Sequence, residues 1–235
     1  TIERPQPEAS ALTYKLASDY LSYIVTGIED GADVETLVIP DEHDGLPVTA
    51  IAAEAFSANV DIVCAVLGEN IASIGDSAFE NCSSLKSVNI PGQVTYIGYR
   101  AFRHCTALEQ LQFDAAAAGD CYDVFYNAGA DGAGITVTFA VDVEAVPSNM
   151  FNVSNSMYAP KLVAIEFAEG CRVSSIGDSA FFGCTGLLNV SLPAGVTYVG
   201  YEAFCGCTSL VYAASAEVMS GAFSGVAAGF ELDSI

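Results

Sequence analysis

The 235-residue chain predicts an α/β repeat solenoid: short strands and helical turns wound around an apolar core, behind an N-terminal β cap. Three observations carry this reading. A phenylalanine recurs at Phe56, Phe79, Phe102 and Phe125, each 23 residues after the last, and returns at Phe151, Phe181, Phe204 and Phe223 after 26, 30, 23 and 19. A period of that size marks stacked structural units and outranks any local reading. The stretch Ile71–Pro91, IASIGDSAFENCSSLKSVNIP, repeats with little change over 94–113, 173–193 and 196–213. Finally, 52% of residues are apolar, which supplies a core along the whole length.

The chain divides on this register. Residues 1–47 do not fit the repeat and read as a leader, marked by Pro5 and Pro7, followed by a strand cap. Within it Tyr14–Leu16, Tyr20–Thr26 and Glu35–Ile39 are β-branched and aromatic runs, separated by turn residues such as Glu29-Asp30-Gly31. Residues 48–226 form the solenoid of about eight units, irregular over 114–172, and 227–235 are a tail. In the irregular part Ala128 takes the place of a cysteine, the strand is displaced to Ile135–Phe139 by the loop GADGAG, and Pro147 takes the place of a glycine.

Each segment of the unit has a physical reason. Ile71 and Ile74 suit a short extended piece, with Gly75 where the backbone is expected to need positive φ. Ala78, Phe79 and Cys82 lie three to four residues apart, the spacing at which a helical turn points all of them inward. Leu85, Val88 and Ile90 fit a bend followed by a strand with alternate side chains buried. A single unit cannot bury its apolar face, whereas stacked neighbours do so at every rung.

This pattern, I-x-x-I-G-x-x-A-F-x-x-C-x-x-L-x-x-V-x-I-P, resembles the bacterial leucine-rich repeats of the BspA-like type over roughly residues 35–226. The resemblance implies a right-handed leucine-rich-repeat superhelix. It also implies an exported, extracellular or cell-surface bacterial protein that binds other proteins in adhesion or host interaction. In that setting Cys82, Cys105, Cys184 and Cys207, which share a repeat position, are a structural ladder of buried thiols that satisfies backbone groups. Neighbouring rungs lie about 4.8 Å apart, so a Cys82–Cys105 bridge is the alternative to weigh against reduced thiols. Cys64, Cys121, Cys171 and Cys205 fall outside the register.

Seven basic against 29 acidic residues give a net charge of −22, which disfavours nucleic acid and anionic lipid as partners. No run of about 18 uncharged apolar residues is present to insert in a membrane. The chain begins at Thr1 without an apolar leader, so any export signal is expected to have been removed. Catalytic signatures are missing: there is no G-x-S-x-G, P-loop, G-x-G-x-x-G or H-E-x-x-H. His43 lies in the acidic turn Asp41–Gly45, which lacks the alternation of an EF-hand, and Cys205-Gly206-Cys207 lacks zinc-site spacing. We therefore expect neither enzyme activity, nor cofactor, nor metal.

Recognition is expected on the strand face. If Leu85, Val88 and Ile90 point inward, then Ser87 and Asn89 point out, and register aligns them with Gln110 and Gln112, Ala164 and Glu166, Asn189 and Ser191, then Tyr212 and Ala214. The other candidate is the irregular middle, 114–160, where Tyr122, Phe125, Tyr126, Met150, Met157 and Tyr158 crowd near Gly-rich loops. The partner classes are a protein ligand or, alternatively, a glycan; a structural spacer without a ligand is a further possibility.

Overall fold

The computed structural model of the protein describes residues 11–153, 156–210, 212–215, 222–224 and 231–234, of which 212–215 and 231–234 by backbone alone. They form a solenoid of about seven turns of parallel strands. Each rung has three sides: a short strand, a turn that carries the recurrent phenylalanine, and a longer strand.

The short strands Tyr23–Ile28, Leu46–Ile51, Ser73–Ile74 and Tyr96–Ile97 pair in parallel, and Leu12–Leu16 adds antiparallel to the first of them. Farther along, Ala145–Val146, Ser175–Ile176 and Tyr198–Val199 form a second parallel set. The long strands run Thr36–Val38, Cys64–Val66, Ser87–Ile90, Gln110–Phe113, Ile135–Phe139 and Leu162–Phe167 in one parallel sheet. Asn189–Ser191, Tyr212–Ser215 and Glu231–Ser234 make another. The expectation of a separate N-terminal cap is not supported. Tyr23–Ile28 and Thr36–Val38 already pair with repeat strands, so these strands ahead of Val48 belong to the two sheets.

The expected helical turns are also corrected, because no α-helix occurs among the described residues. Around Phe79 the backbone alternates in handedness: Ser77 and Asn81 sit at φ 53° and 62°. Glu54 and Ala58, Arg100 and His104, and Asp123 and Asn127 repeat the pattern about their own phenylalanines. A right-handed helix needs negative φ at every residue, so this alternation prevents one. It turns every second amide toward the neighbouring rung instead. Ser77, Phe79 and Asn81 N–H donate to the carbonyls of Tyr99, Ala101 and Arg103 at 2.8–2.9 Å, while Ala78, Glu80 and Cys82 bond three residues back within their own turn. The turn is thus a third hydrogen-bonded ladder, and its backbone groups are satisfied without a helix.

Inside that ladder the eight phenylalanines stack, from Phe56 to Phe223, with successive centroids 5.0–5.8 Å apart and planes within 25°. Phe56, Phe79, Phe102, Phe125, Phe151, Phe181 and Phe204 are all buried, at most 3% exposed. Offset stacking at this separation adds to the burial of large apolar area.

Gly75 serves a different need from the one expected, since its φ is not in the left-handed region. A Cβ there would run into Ala53 N and lie 2.6 Å from Ala52 C of the preceding rung. Gly98, Gly177 and Gly200 abut their neighbours in the same way. The glycine thus permits close approach between rungs.

Phe102→Ala removes a ring from the middle of the stack. We expect a loss of about 3–5 kcal/mol, the range for a buried Phe cavity, read as a lowered midpoint in chemical denaturation; an unchanged midpoint would contradict the stacking.

Candidate binding surface

Alternation along the long strands sets which side chains reach solvent. In Ser87–Ile90 and Gln110–Phe113, Val88, Ile90, Leu111 and Phe113 are buried, and Ser87, Asn89, Gln110 and Gln112 face outward. Register places Gln110 opposite Ser87 and Gln112 opposite Asn89. Thr136 and Thr138 extend the rows past Gln110 and Gln112, and Ala164 and Glu166 follow. The predicted Ser87, Asn89, Gln110, Gln112 and Glu166 therefore share one sheet. Asn189 and Ser191 are exposed on the second sheet, opposite Tyr212 and Ala214, whose side chains lie outside the described residues.

The two threonines were missed, although the alternation in Ile135–Phe139, ITVTF, signals them. Cys64 also joins the face, paired with Ser87 one 23-residue period on, which corrects the expectation that it falls outside the register.

The outward side chains differ in what they have left to offer. Asn89 closes a two-way bond on the Leu67 peptide: its Oδ1 accepts from Leu67 N–H at 2.7 Å and its Nδ2 donates to Leu67 carbonyl at 3.0 Å. This holds the chain as it leaves the strand Cys64–Val66. Gln112 Nε2 donates to Asp114 Oδ1 at 2.6 Å, and Thr138 Oγ1 donates to Glu166 Oε2 at 3.3 Å. Around these residues lies a depression of about 400 Å³, lined by Ser87, Asn89, Gln110, Gln112, Thr138 and Asp114 among others. Burial raises the Asp114 carboxyl above its ordinary range, the Gln112 hydrogen bond opposes this, and the Glu69 charge adds to it. A larger depression, about 750 Å³, opens where Leu162–Phe167 and Asn189–Ser191 end, between Glu166 and Ser191.

In the interior, against the phenylalanine turns, runs the cysteine row. Cys82, Cys105, Cys184 and Cys207 are fully buried free thiols. The Sγ–H of Cys82 donates to the Phe56 carbonyl at 3.1 Å, Cys105 to Phe79 at 3.2 Å and Cys207 to Phe181 at 3.2 Å, each on the preceding rung. Burial pushes Cys82 and Cys207 up to about 12, and Cys105 and Cys184 well above the ordinary thiol range. A protonated thiol keeps its donor, whereas a thiolate would be stranded beside a carbonyl in apolar surroundings.

The two histidines are engaged in packing. His43 stacks on Tyr14 with centroids 3.8 Å apart and meets Tyr23 edge-on at 4.8 Å, with Asp44 and Gly45 in the hairpin that follows it. His104 Nδ1 lies 3.0 Å from Asn127 Nδ2. In the irregular middle, Phe125 and Met150 are core residues, Tyr126 stacks on Tyr158 at 5.0 Å, and Tyr122 and Met157 are exposed. No group of three or more potential metal-ligating side chains occurs among the described residues, and none of their helices is long and apolar enough to cross a membrane.

Polar rows thus face outward over a buried core of phenylalanine and cysteine, the architecture of a stacked repeat. The model of the BspA type leucine rich repeat region matches residues 31–158 and 152–224, in six copies. The chain belongs to this family. Among solved structures it is similar to a leucine rich repeat protein of T. pallidum, with 25% identity and a TM-score of 0.62 over 87% of this chain and 90% of that one. It is also similar to a leucine rich cell surface protein from Faecalibacterium prausnitzii, with 26% identity and a TM-score of 0.56, covering 88% of this chain but about half, 53%, of that one. No protein of curated function matches the chain. Leucine-rich repeats of this type are typically non-catalytic and suggest protein–protein interaction.

The buried thiols make stability depend on pH. An unfolded thiol ionises near 9, while folded Cys82 and Cys207 hold their protons to about 12. Their contribution is therefore complete below about pH 9 and lost as pH rises toward 12, because the unfolded chain releases protons first. We expect the denaturation midpoint to fall between pH 8 and pH 11; an equal midpoint at both would contradict the thiol burial.

Proposed function

We propose that the chain is a non-catalytic, secreted or cell-surface module that binds an extracellular or cell-surface protein, in adhesion or host interaction. The contact is made across the sheet that carries Ser87, Gln110, Gln112, Thr136, Thr138 and Glu166. The observation that supports this most is the in-register outward row on a six-stranded parallel sheet, with a depression of about 400 Å³ in its middle. Repeat solenoids work by presenting such extended surfaces. A rigid face of small polar side chains can hydrogen-bond a partner without much rearrangement. Asn189 and Ser191 would extend the contact onto the second sheet.

The description of the F. prausnitzii protein as a cell surface protein supports the location, and its similarity covers most of this chain. Asn89 contributes by fixing the edge of the depression through Leu67, while Ser87 and Gln110 are the residues we assign to direct contact.

Binding is measured against a panel of immobilised extracellular-matrix and cell-surface proteins, with a glycan array in parallel. We expect a protein ligand whose affinity falls at least about tenfold in the Ser87→Arg, Gln110→Arg double variant, the scale of a 1.4 kcal/mol loss. An unchanged affinity for that ligand, or binding to glycans alone, would overturn the reading.

A further inference from the structure

On the short-strand side, away from the face just described, the repeat builds the same surface cluster twice. In the first copy Asp76 Oδ1 accepts from both the Tyr96 hydroxyl and the Tyr99 N–H, each at 2.9 Å. In the second, Asp178 Oδ1 accepts from the Tyr198 hydroxyl at 3.4 Å and the Tyr201 N–H at 2.8 Å. All four rings are exposed, Tyr99 to 43% and Tyr201 to 54%. The clusters lie on rungs four steps apart along the phenylalanine stack.

They differ at the next residue. In the first copy it is Arg100, whose guanidinium lies over the Tyr99 ring, 4.5 Å from the centroid, with its Nε buried and without a hydrogen-bond partner. In the second copy the equivalent residue is Glu202, which holds nearly the same backbone angle, φ 54° against 59°. Arg103 is likewise replaced by Cys205, and Glu80 by Phe182. The second cluster thus keeps the two tyrosines and the aspartate, gains the Glu202 carboxylate, and loses the cation that covers the ring in the first.

We propose that the Tyr198, Tyr201, Asp178 and Glu202 cluster binds an arginine side chain of a partner protein, and that Arg100 occupies the corresponding place in the first copy. The occupant follows from the molecule itself, since the same scaffold already seats a guanidinium on the equivalent ring. A guanidinium stacks on an aromatic face and pairs with a carboxylate through its planar donors. The net charge of −22 favours approach of a cationic segment. This inference concerns a different side of the solenoid and stands apart from the strand-face reading.

The test uses the full chain with ring-labelled tyrosine, titrated with acetyl-Gly-Gly-Arg-Gly-Gly-amide and with the same peptide carrying neutral citrulline for arginine. Tyrosine ring resonances, assigned by Tyr→Phe variants, report the site. We expect saturable shifts at Tyr198 and Tyr201 with the arginine peptide and none with citrulline, while Tyr96 and Tyr99 stay unmoved. Glu202→Arg supplies the internal cation and should abolish the response; Arg100→Glu should make Tyr96 and Tyr99 respond as well. Each substitution installs the residue that the other copy already holds at that backbone conformation, so the fold is expected to accept both. No saturable shift, an equal response to citrulline, or a response that survives Glu202→Arg would overturn the proposal.

Discussion

The hydrogen bond from the amide of one recurrent phenylalanine turn to the carbonyl of the next sets the geometry on which the other contacts depend. Phe79 N–H reaches Ala101, Phe102 reaches Val124, Phe151 reaches Ala180, Phe181 reaches Ala203 and Phe204 reaches Ala222, all at 2.7–3.0 Å. To aim these groups along the solenoid, the flanking residues take left-handed conformations, at a cost of roughly 1–3 kcal/mol each for a residue other than glycine. What offsets that cost is shared between rungs: ring stacking in the core, a thiol donor on the preceding carbonyl, and strand pairing on the other two sides. No rung could retain this arrangement alone, which is the physical content of a repeat protein.

The same dependence explains why the irregular middle is tolerated. The rungs of Phe125 and Phe151 change spacing and lose the cysteine, yet the rings remain 5.0–5.8 Å apart from Phe102 to Phe181. Extra length leaves the stack at the loop between Ala128 and Ile135 and around the short turn Ser156–Tyr158, where the core contacts are unaffected. Asn127 N–H still finds a carbonyl across this gap, that of Tyr158 at 2.7 Å. Longer loops cost little entropy when their ends are already held together.

Much of this was legible in the sequence, because a register repeated eight times fixes which residues align. Phe79, Cys82, Leu85, Val88 and Ile90 were each assigned inward from spacing, and each is buried. The helical reading of Ala78-Phe79-x-x-Cys82 failed because any tight turn brings such residues to one side. The alternating handedness is carried by Ser77, Arg100 and Glu202, residues with no strong preference for positive φ; Asn81, His104, Asn127, Gly183 and Gly206 were the visible trace of it. Gly75 carried a true signal with a wrong cause, since its constraint is the backbone of Ala52 and Ala53, 22 to 23 residues away. Among outward residues, alternation placed Ser87, Asn89, Gln110 and Gln112, but it could not show that Asn89 folds back on Leu67. The paired tyrosines stand in the open in V-T-Y-x-G-Y, while the contrast between Arg100 and Glu202 gains meaning only once the guanidinium is seen over its ring.

The solenoid therefore offers two unlike surfaces on one rigid stack: polar rows on the long strands and tyrosine–carboxylate clusters on the short-strand side. Both inherit their spacing from the phenylalanine turn, so the direction of its hydrogen bond is the fact on which the account rests. Scalar coupling across that bond measures it directly in a deuterated, isotope-labelled chain. We expect a correlation between Phe79 N–H and the Ala101 carbonyl, matched by Phe181 with Ala203; a correlation from Phe79 to the Gly75 carbonyl, four residues back as in a helix, would contradict the account.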